Sequence, residues 1–142
     1  MMAAERPTGP DGEPAEIDEL MRIIAAVMES DVWKRARRAS VRLVEVPFAL
    51  RLSAVDYAAM GGQPAAEVEI IDGRIDLIFR DDSGWTVVDY KSDAAGSAIA
   101  PMLLDRYRRQ VGLYAEAWQH MTGETVTERM LLFTADGVTL SA

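Results

Sequence analysis

The chain has 142 residues, 49% of them hydrophobic and 27% charged, with a formal net charge of −8 and no cysteine. This length corresponds to one domain, the apolar fraction excludes an intrinsically disordered chain, and the lack of cysteine excludes disulfides, thiolate zinc sites and iron–sulfur clusters. The sequence shows no secretory signal and no apolar run near the roughly 20 residues of a membrane span, so we expect a soluble, cytoplasmic protein.

The first part of the chain predicts a disordered leader followed by two helices. Residues 1–16 are rich in proline and glycine and carry almost no apolar side chain, which is typical of a leader without regular structure. From Ile17 to Met28, apolar residues recur at three- and four-residue spacing and predict a helix. Ser30 is a suitable N-cap for a short second helix over residues 31–39.

Strand patterns occupy the middle of the chain. Val41–Leu52 predicts a strand, in which Pro47 indicates an edge position or a bend. Residues 67–80 predict a β segment interrupted by a turn or bulge at Asp72-Gly73. A loop signature at residues 81–84 separates it from a third strand, residues 85–91.

The last third predicts a long helix and a return to the sheet. Pro101 sits near the first turn of a helix that extends to about Thr122, and Gly123 can end it. Residues 126–133 predict a further strand, and residues 138–140 a last short one. This order of helices, three strands, helix and strand predicts an α/β layered fold with a mixed sheet.

Three charged residues are expected to converge on one face of the central hairpin. If residues 81–84 form its loop, Asp76 lies directly opposite Asp89, with Cβ atoms about 4.5–5.5 Å apart. Strand periodicity then places Lys91 on the same face as Asp89. The opposite, core-facing side of the hairpin is predicted to carry Ile75, Leu77, Phe79, Val88 and Tyr90.

Two opposed carboxylates repel each other, and a divalent cation removes that cost. Mg²⁺ typically takes one or two carboxylates together with waters and substrate phosphate oxygens. Lys91 beside such a cation can orient a water or stabilise the charge that develops at phosphorus. The pattern indicates a metal-assisted phosphodiester hydrolysis site. The alternative is a strand-edge charge at Asp76 and a surface ion pair between Asp89 and Lys91.

Four ordered motifs sharpen this interpretation. They are Glu45-Val46-Pro47-Phe48, Gly73-Arg74-Ile75-Asp76-Leu77, Val88-Asp89-Tyr90-Lys91-Ser92-Asp93, and the helical series Tyr107, Gln110 and Tyr114. Over residues 30–135 the chain resembles the C-terminal nuclease domain of RecB/AddA-type helicase–nucleases, within the PD-(D/E)xK nuclease superfamily. The resemblance implies a restriction-endonuclease-like core over residues 17–142, with a mixed central β-sheet flanked by helices in the order α-βββ-α-β.

The same resemblance implies roles for individual positions at the carboxylate pair. Asp76 and Asp89 would bind Mg²⁺ or Mn²⁺, with the backbone carbonyl of Tyr90 as a further ligand. Lys91 would be the catalytic lysine.

Other positions match outlying motifs of the family. Gln110 and Tyr114 correspond to its Q-xxx-Y helix motif and would lie near the site and the DNA strand. Glu45 corresponds to its E-x-P-F strand and would support the site without being a direct ligand. Family members usually carry a metal-liganding histidine upstream of this strand, and this chain has none there. The chain therefore resembles a nuclease domain separated from its first helices.

Basic side chains are candidates for DNA contacts despite the acidic total. Lys34, Arg35 and Arg38 form a basic run on the second predicted helix, and Arg106 belongs to a cluster on the long one. Such side chains can follow phosphates. A solvated helix face, or a face that docks onto a helicase, is the alternative for the run.

The function expected from the resemblance is metal-dependent cleavage of DNA, single-stranded in particular, by exo- or endonuclease action. The implied context is double-strand-break repair, with an attached helicase domain or an AddB/RecC-like partner subunit. One alternative is a catalytically silent nuclease fold that binds DNA or docks to a helicase. Another is a free-standing nuclease of the RecB type.

Overall fold

The computed structural model describes residues 14–52, 69–92 and 99–142. Within them the chain forms three helices and five strands. Their bounds are α1 (Pro14–Glu29), α2 (Asp31–Arg38), β1 (Val41–Leu52), β2 (Glu69–Asp81), β3 (Gly84–Lys91), α3 (Pro101–Thr122), β4 (Val126–Phe133) and β5 (Val138–Ser141).

The five strands form one mixed sheet in the order β1-β2-β3-β4-β5. Only β3 and β4 are parallel, since α3 provides the crossover between them, and the other neighbours are antiparallel. The predicted α/β fold with a mixed sheet between helices is therefore confirmed. In the described part of the chain β1 is an edge strand, as Pro47 indicated.

The ends of α2 and α3 follow from local chemistry. The Ser30 hydroxyl accepts a hydrogen bond of 3.3 Å from the Trp33 amide and so caps α2. Pro101 begins α3, where its missing N–H has no cost. Gly123 ends α3 with a left-handed φ of 75°, which glycine adopts freely. These boundaries were predicted.

The first helix differs from its prediction. α1 begins at Pro14, so the last three residues of the predicted leader are helical, and residues 1–13 lie outside the described residues. Five large apolar side chains on this helix are exposed: Ile17, Leu20, Met21, Ile24 and Met28. No helix in the described residues is long and apolar enough to cross a membrane.

The sheet buries both of its faces. One core lies under α3 and includes Phe48, Leu50, Ile75, Ile78, Val87, Val111, Trp118, Leu131 and Phe133. The other lies under α2 and consists of Val32, Ala36, Leu77, Phe79, Val88 and Leu132. The prediction that Ile75 shares a face with Leu77 and Phe79 was wrong, because Ile75 packs on the α3 side.

A predicted interruption of the second strand is also absent. Asp72 and Gly73 lie inside the continuous strand β2, opposite Ala49 and Phe48. A Cβ at Gly73 would lie 2.9 Å from Cζ of the buried Phe48 ring. The glycine therefore makes room for an aromatic ring across the sheet, and it does not form a turn.

Candidate nuclease site

The β2–β3 hairpin has the predicted register. Arg80 lies opposite Trp85, and the turn is tighter than expected because Asp81 also pairs with Gly84. The backbone pairing ends at Leu77 and Val88. Asp76 and Asp89 are the next opposed positions, immediately beyond the last paired residues.

Asp76 is held by a hydrogen bond from the neighbouring strand. The amide of Tyr90 donates to Oδ2 of Asp76 at 2.8 Å, just beyond the point where backbone pairing has stopped. Burial, and then the negative charge of Asp76, raise the pKa of the Tyr90 hydroxyl to about 12. Asp76 is thus fixed at the end of the hairpin ladder with its carboxylate on the β3 side.

Asp89 is the most buried charged residue of the site, with 4% of its surface exposed. Burial, and then hydrogen bonding with Asp76, raise the pKa of Asp89 to about 6, although Lys91 acts in the opposite direction. Nζ of Lys91 lies 2.9 Å from Oδ2 of Asp89, but Oδ2 has no well-aligned hydrogen bond from any described residue. A buried carboxylate oxygen whose hydrogen-bonding capacity is not fully used is suited to a cation.

A chain of hydrogen bonds links Lys91 to α3. Nζ of Lys91 donates to Oε1 of Gln110 at 2.5 Å, and Nε2 of Gln110 donates to the Tyr114 hydroxyl at 3.1 Å. The Lys91 ammonium also lies 4.4 Å from the centre of the Tyr107 ring. The structure therefore brings together five predicted site residues, namely Asp76, Asp89, Lys91, Gln110 and Tyr114.

Tyr114 connects this cluster to the edge of the sheet. Burial, followed by the charges of Asp89 and Asp76, raises the pKa of the Tyr114 hydroxyl, because its ionised form would face two carboxylates. Its ring packs edge-on against Phe48 with centroids 5.5 Å apart. The hydroxyl thus faces the carboxylates while the ring is anchored on β1.

Glu45 lies at the register position opposite Asp76, where the β1–β2 pairing is interrupted between its neighbouring pairs. It has a φ of 50°. Its side chain is 72% exposed, and its carboxylate lies 3.7 Å from Nη1 of Arg74. Glu45 is thus next to the site through its backbone, and its carboxylate points into solvent.

The donor set fits a hard divalent cation. Asp76 and Asp89 supply two carboxylates at the β2–β3 edge, and the buried Oδ2 of Asp89 is ion-paired with Lys91 but has no well-aligned hydrogen bond from any described residue. No group of three or more His, Cys, Asp or Glu able to hold a metal exists among the described residues. Two carboxylates, completed by water and phosphate oxygens, suit Mg²⁺ or Mn²⁺ better than an all-protein cage.

The basic residues of α2 lie across the sheet from the carboxylates, because α2 covers the opposite face to α3. The Arg35 guanidinium donates to Asp81 at 2.9 Å and to Glu128 at 2.7 Å, so two carboxylates compensate its charge. Lys34 lies 3.5 Å from Glu29, and Arg38 is exposed.

Two further basic residues lie on the side of the site. Arg106 is exposed on α3, one helical turn before Gln110. Arg74 was not singled out from the sequence, although it stands two residues before Asp76. It lines an open groove of about 750 Å³, together with Pro47, Phe48, Ala49, Asp72 and Gly73. The groove begins beside Tyr114, since Phe48 packs against that ring and a Cβ at Gly73 would lie 3.6 Å from it.

Comparison with known proteins gives two consistent results. The family model of the PD-(D/E)XK nuclease superfamily matches residues 2–139. Curated relatives include an ATP-dependent helicase/nuclease subunit from Bacillus cytotoxicus, which is 32% identical over 128 residues, 85% of this chain and 10% of the relative. The proteins of the same name from Desulforudis audaxviator and Lacticaseibacillus casei are 37% and 38% identical over 66% of this chain, and 8% and 7% of their own lengths are covered. The chain spans about a tenth of the length of these relatives.

Proposed function

This chain belongs to the PD-(D/E)XK nuclease superfamily, and on that premise we propose that it hydrolyses phosphodiester bonds in DNA with Mg²⁺ or Mn²⁺ as cofactor. The observation that carries the proposal is the meeting of Asp76, Asp89 and Lys91 at the end of the β2–β3 ladder. Asp76 and Asp89 would hold the cation, with the carbonyl of Tyr90 as a further ligand.

A bound cation supplies Lewis-acid polarisation of the scissile phosphate and a lowered pKa for the attacking water. The residues of the chain do the positioning. Lys91 holds a positive charge beside the carboxylates, where it can orient the attacking water or stabilise the charge that develops on the phosphate oxygens. Gln110 fixes the Lys91 ammonium from α3, so this charge is in place before substrate binds.

The direction of donation along α3 gives Tyr114 a defined part in the proposal. Because Lys91 can only donate, Oε1 of Gln110 is the acceptor and Nε2 must donate to the Tyr114 oxygen. The proton of the Tyr114 hydroxyl therefore points away from Gln110. It is available to donate to a phosphate oxygen of the strand at the site.

The DNA strand is proposed to pass along the α3 side of the sheet. Arg106 stands one turn from Gln110, and Arg74 lines the groove that begins at Tyr114. Each can contribute a salt-dependent phosphate contact. Lys34 and Arg38, across the sheet, are proposed to contact a more distant part of the DNA or the surface of a partner.

The biological context is also a proposal. The relatives carry the words helicase and nuclease in their names, so we propose that the substrate is single-stranded DNA released by a helicase during double-strand-break repair. An attached helicase domain or an AddB/RecC-like subunit would then be the partner. This role corresponds to the cytoplasmic location expected from the sequence.

The test is cleavage of end-labelled single- and double-stranded DNA with Mg²⁺ or Mn²⁺, and with EDTA as the metal-free control. Wild type and Asp82→Asn, which changes an exposed turn carboxylate, are expected to cleave. Asp76→Asn is expected to be inactive. DNA binding by wild type without cleavage under any of these conditions would favour the catalytically silent alternative.

A further inference from the structure

Glu45 adopts a backbone conformation that is unusual inside a strand. Among the described residues it is the only non-glycine residue with positive φ, at 50°. Residues other than glycine rarely adopt this left-handed conformation, because their Cβ atom approaches the following carbonyl oxygen. The flanking residues Val44 and Val46 remain paired with β2, so the irregularity is confined to one position.

The side-chain alternation of β1 reverses at this position. Val41 packs against the core under α3, and so do Val46, Phe48 and Leu50. Val41 and Val46 are five residues apart, and in a regular strand an odd spacing places side chains on opposite faces. One reversal therefore takes place between them, where the left-handed residue Glu45 lies.

The partner strand reverses at the same level. Ile75 and Ile78 both pack under α3, although their spacing is odd, whereas Leu77 packs under α2. The reversal in β2 thus falls at Asp76, the residue opposite Glu45. Adjacent Ile75 and Asp76 therefore share the α3 side. Regular alternation continued from Ile75 would turn Asp76 toward α2, and regular alternation continued from Leu77 would turn Ile75 out of the core under α3.

We propose that Glu45 is a positioning residue whose left-handed backbone, and not its carboxylate, lets Asp76 face Asp89 while neighbouring Ile75 stays in the core under α3. The 72% exposed side chain of Glu45 and its loose approach to Arg74 at 3.7 Å support this division of roles. The inference rests on the proposed function for the importance of Asp76. The orientation of Asp76 itself can be measured without metal or DNA.

Four substitutions separate backbone from side chain. Glu45→Gly and Glu45→Asn remove the carboxylate and still allow positive φ. Glu45→Val removes the carboxylate and disfavours positive φ, because Val is β-branched and fits a regular strand. Glu45→Ala is matched to Glu45→Gly and differs only by the Cβ, so this pair repeats the test if the Val variant does not fold. Arg42→Val, at an exposed position of the same strand, is the control for adding Val to β1.

The first readout is hydrogen exchange of the Tyr90 amide in the metal-free protein, followed by NMR. This amide donates to Asp76 at 2.8 Å, so its protection reports the orientation of Asp76. Protection is expected to stay at the wild-type level in the Gly, Asn and Arg42→Val variants. It is expected to fall roughly tenfold in the Val variant, and to be lower in Ala than in Gly.

The second readout is the affinity for Mn²⁺, measured by calorimetry. It is expected to stay at the wild-type level in the Gly, Asn and Arg42→Val variants, to weaken in the Val variant, and to be weaker in Ala than in Gly. Wild-type Tyr90 protection in Glu45→Val, or in Glu45→Ala if Val does not fold, would overturn the proposal. An equal loss of Tyr90 protection in the Gly, Asn and Val variants would also overturn it, because the Glu45 carboxylate would then be required. If wild type binds no Mn²⁺ but Tyr90 protection follows the expected order, the proposed function fails and the backbone role of Glu45 stands.

Discussion

Lys91 on β3 and Gln110 on α3 are joined by a hydrogen bond of 2.5 Å across the sheet–helix interface. Lys91 also pairs with Asp89 at 2.9 Å. The ammonium is therefore fixed both by its own strand and by the helix of the crossover. Because the helix is anchored by Val111 and Trp118 in the core beneath it, the position of Lys91 depends on the packing of α3.

Replacing Lys91 tests its chemical role. Lys91→Ala removes the positive charge beside the carboxylates and is expected to lower the rate of DNA cleavage by at least about a hundredfold, while the circular dichroism spectrum stays that of a folded protein. Arg22→Ala removes an exposed positive charge on α1 to which no DNA contact is assigned, and this variant is expected to cleave at close to the wild-type rate. Wild-type cleavage by Lys91→Ala would remove this residue from the mechanism.

Replacing Gln110 tests the positioning of Lys91 from the helix. Gln110→Leu leaves the ammonium without its acceptor on α3, so kcat is expected to fall about tenfold with a smaller change in KM. Gln110→Glu keeps an acceptor oxygen for Lys91 and is expected to lie nearer to wild type. Steady-state kinetics on a labelled oligonucleotide measures both values. An unchanged kcat in Gln110→Leu would contradict the expectation.

Metal binding is expected to stabilise the fold through the carboxylate pair. A cation present at about 100 times its Kd stabilises the native state by about 2.7 kcal/mol, or about 5–10 °C in Tm for a domain of this size. Thermal unfolding of wild type with increasing Mg²⁺ or Mn²⁺ should show this shift. Asp76→Asn and Asp89→Asn should not, whereas Asp82→Asn should behave as wild type. An equal shift in all four proteins would place the cation elsewhere.

The close approach of Gly73 and Phe48 predicts a steric cost. In Gly73→Ala the new methyl group would meet the Phe48 ring at 2.9 Å, so the free energy of unfolding is expected to fall by about 1–3 kcal/mol. Adding Phe48→Leu removes the ring that the methyl meets. Denaturant unfolding of both single variants and the double variant should show a combined loss smaller than the sum. Simple additivity would indicate that the contact is not the cause.

Arg35 is expected to matter for stability and not for DNA affinity. It bonds Asp81 and Glu128 at a partly exposed site, so Arg35→Ala is expected to lower the free energy of unfolding by about 1–2 kcal/mol. Arg37→Ala, at an exposed neighbouring position, is expected to change it by less than about 0.5 kcal/mol. DNA affinity measured by fluorescence anisotropy should be equal in the two variants. A selective loss of DNA affinity in Arg35→Ala would instead support the DNA contact predicted for Arg35 from the sequence.

The sequence was informative where structure depends on neighbouring residues. Ser30, Pro101 and Gly123 set helix ends by local chemistry, and the loop after Arg80 fixed the register that brings Asp76 opposite Asp89. These features need only a few adjacent residues, so they can be predicted without knowledge of the tertiary fold.

The features that were missed depend on contacts distant in sequence. The partners of Arg35 lie 46 and 93 residues away, so its basic run could not show that its charge is compensated. Gly73 follows an aspartate, which is a turn pattern, and only the Phe48 ring across the sheet explains it. The reversal at Glu45 has no sequence signal, because glutamate rarely adopts positive φ.

The reversal at Glu45 has a second consequence, for association between molecules. In the described part of the chain β1 has β2 as its one neighbour, so the other edge of this 12-residue strand presents backbone groups that another strand can pair with. Exposed Leu43 and Val44 lie beside that edge. The irregularity at Glu45 and Pro47, which lies two residues later and has no N–H, divide the edge into two short runs. We therefore expect the distortion proposed to position Asp76 also to hinder edge-to-edge pairing between molecules.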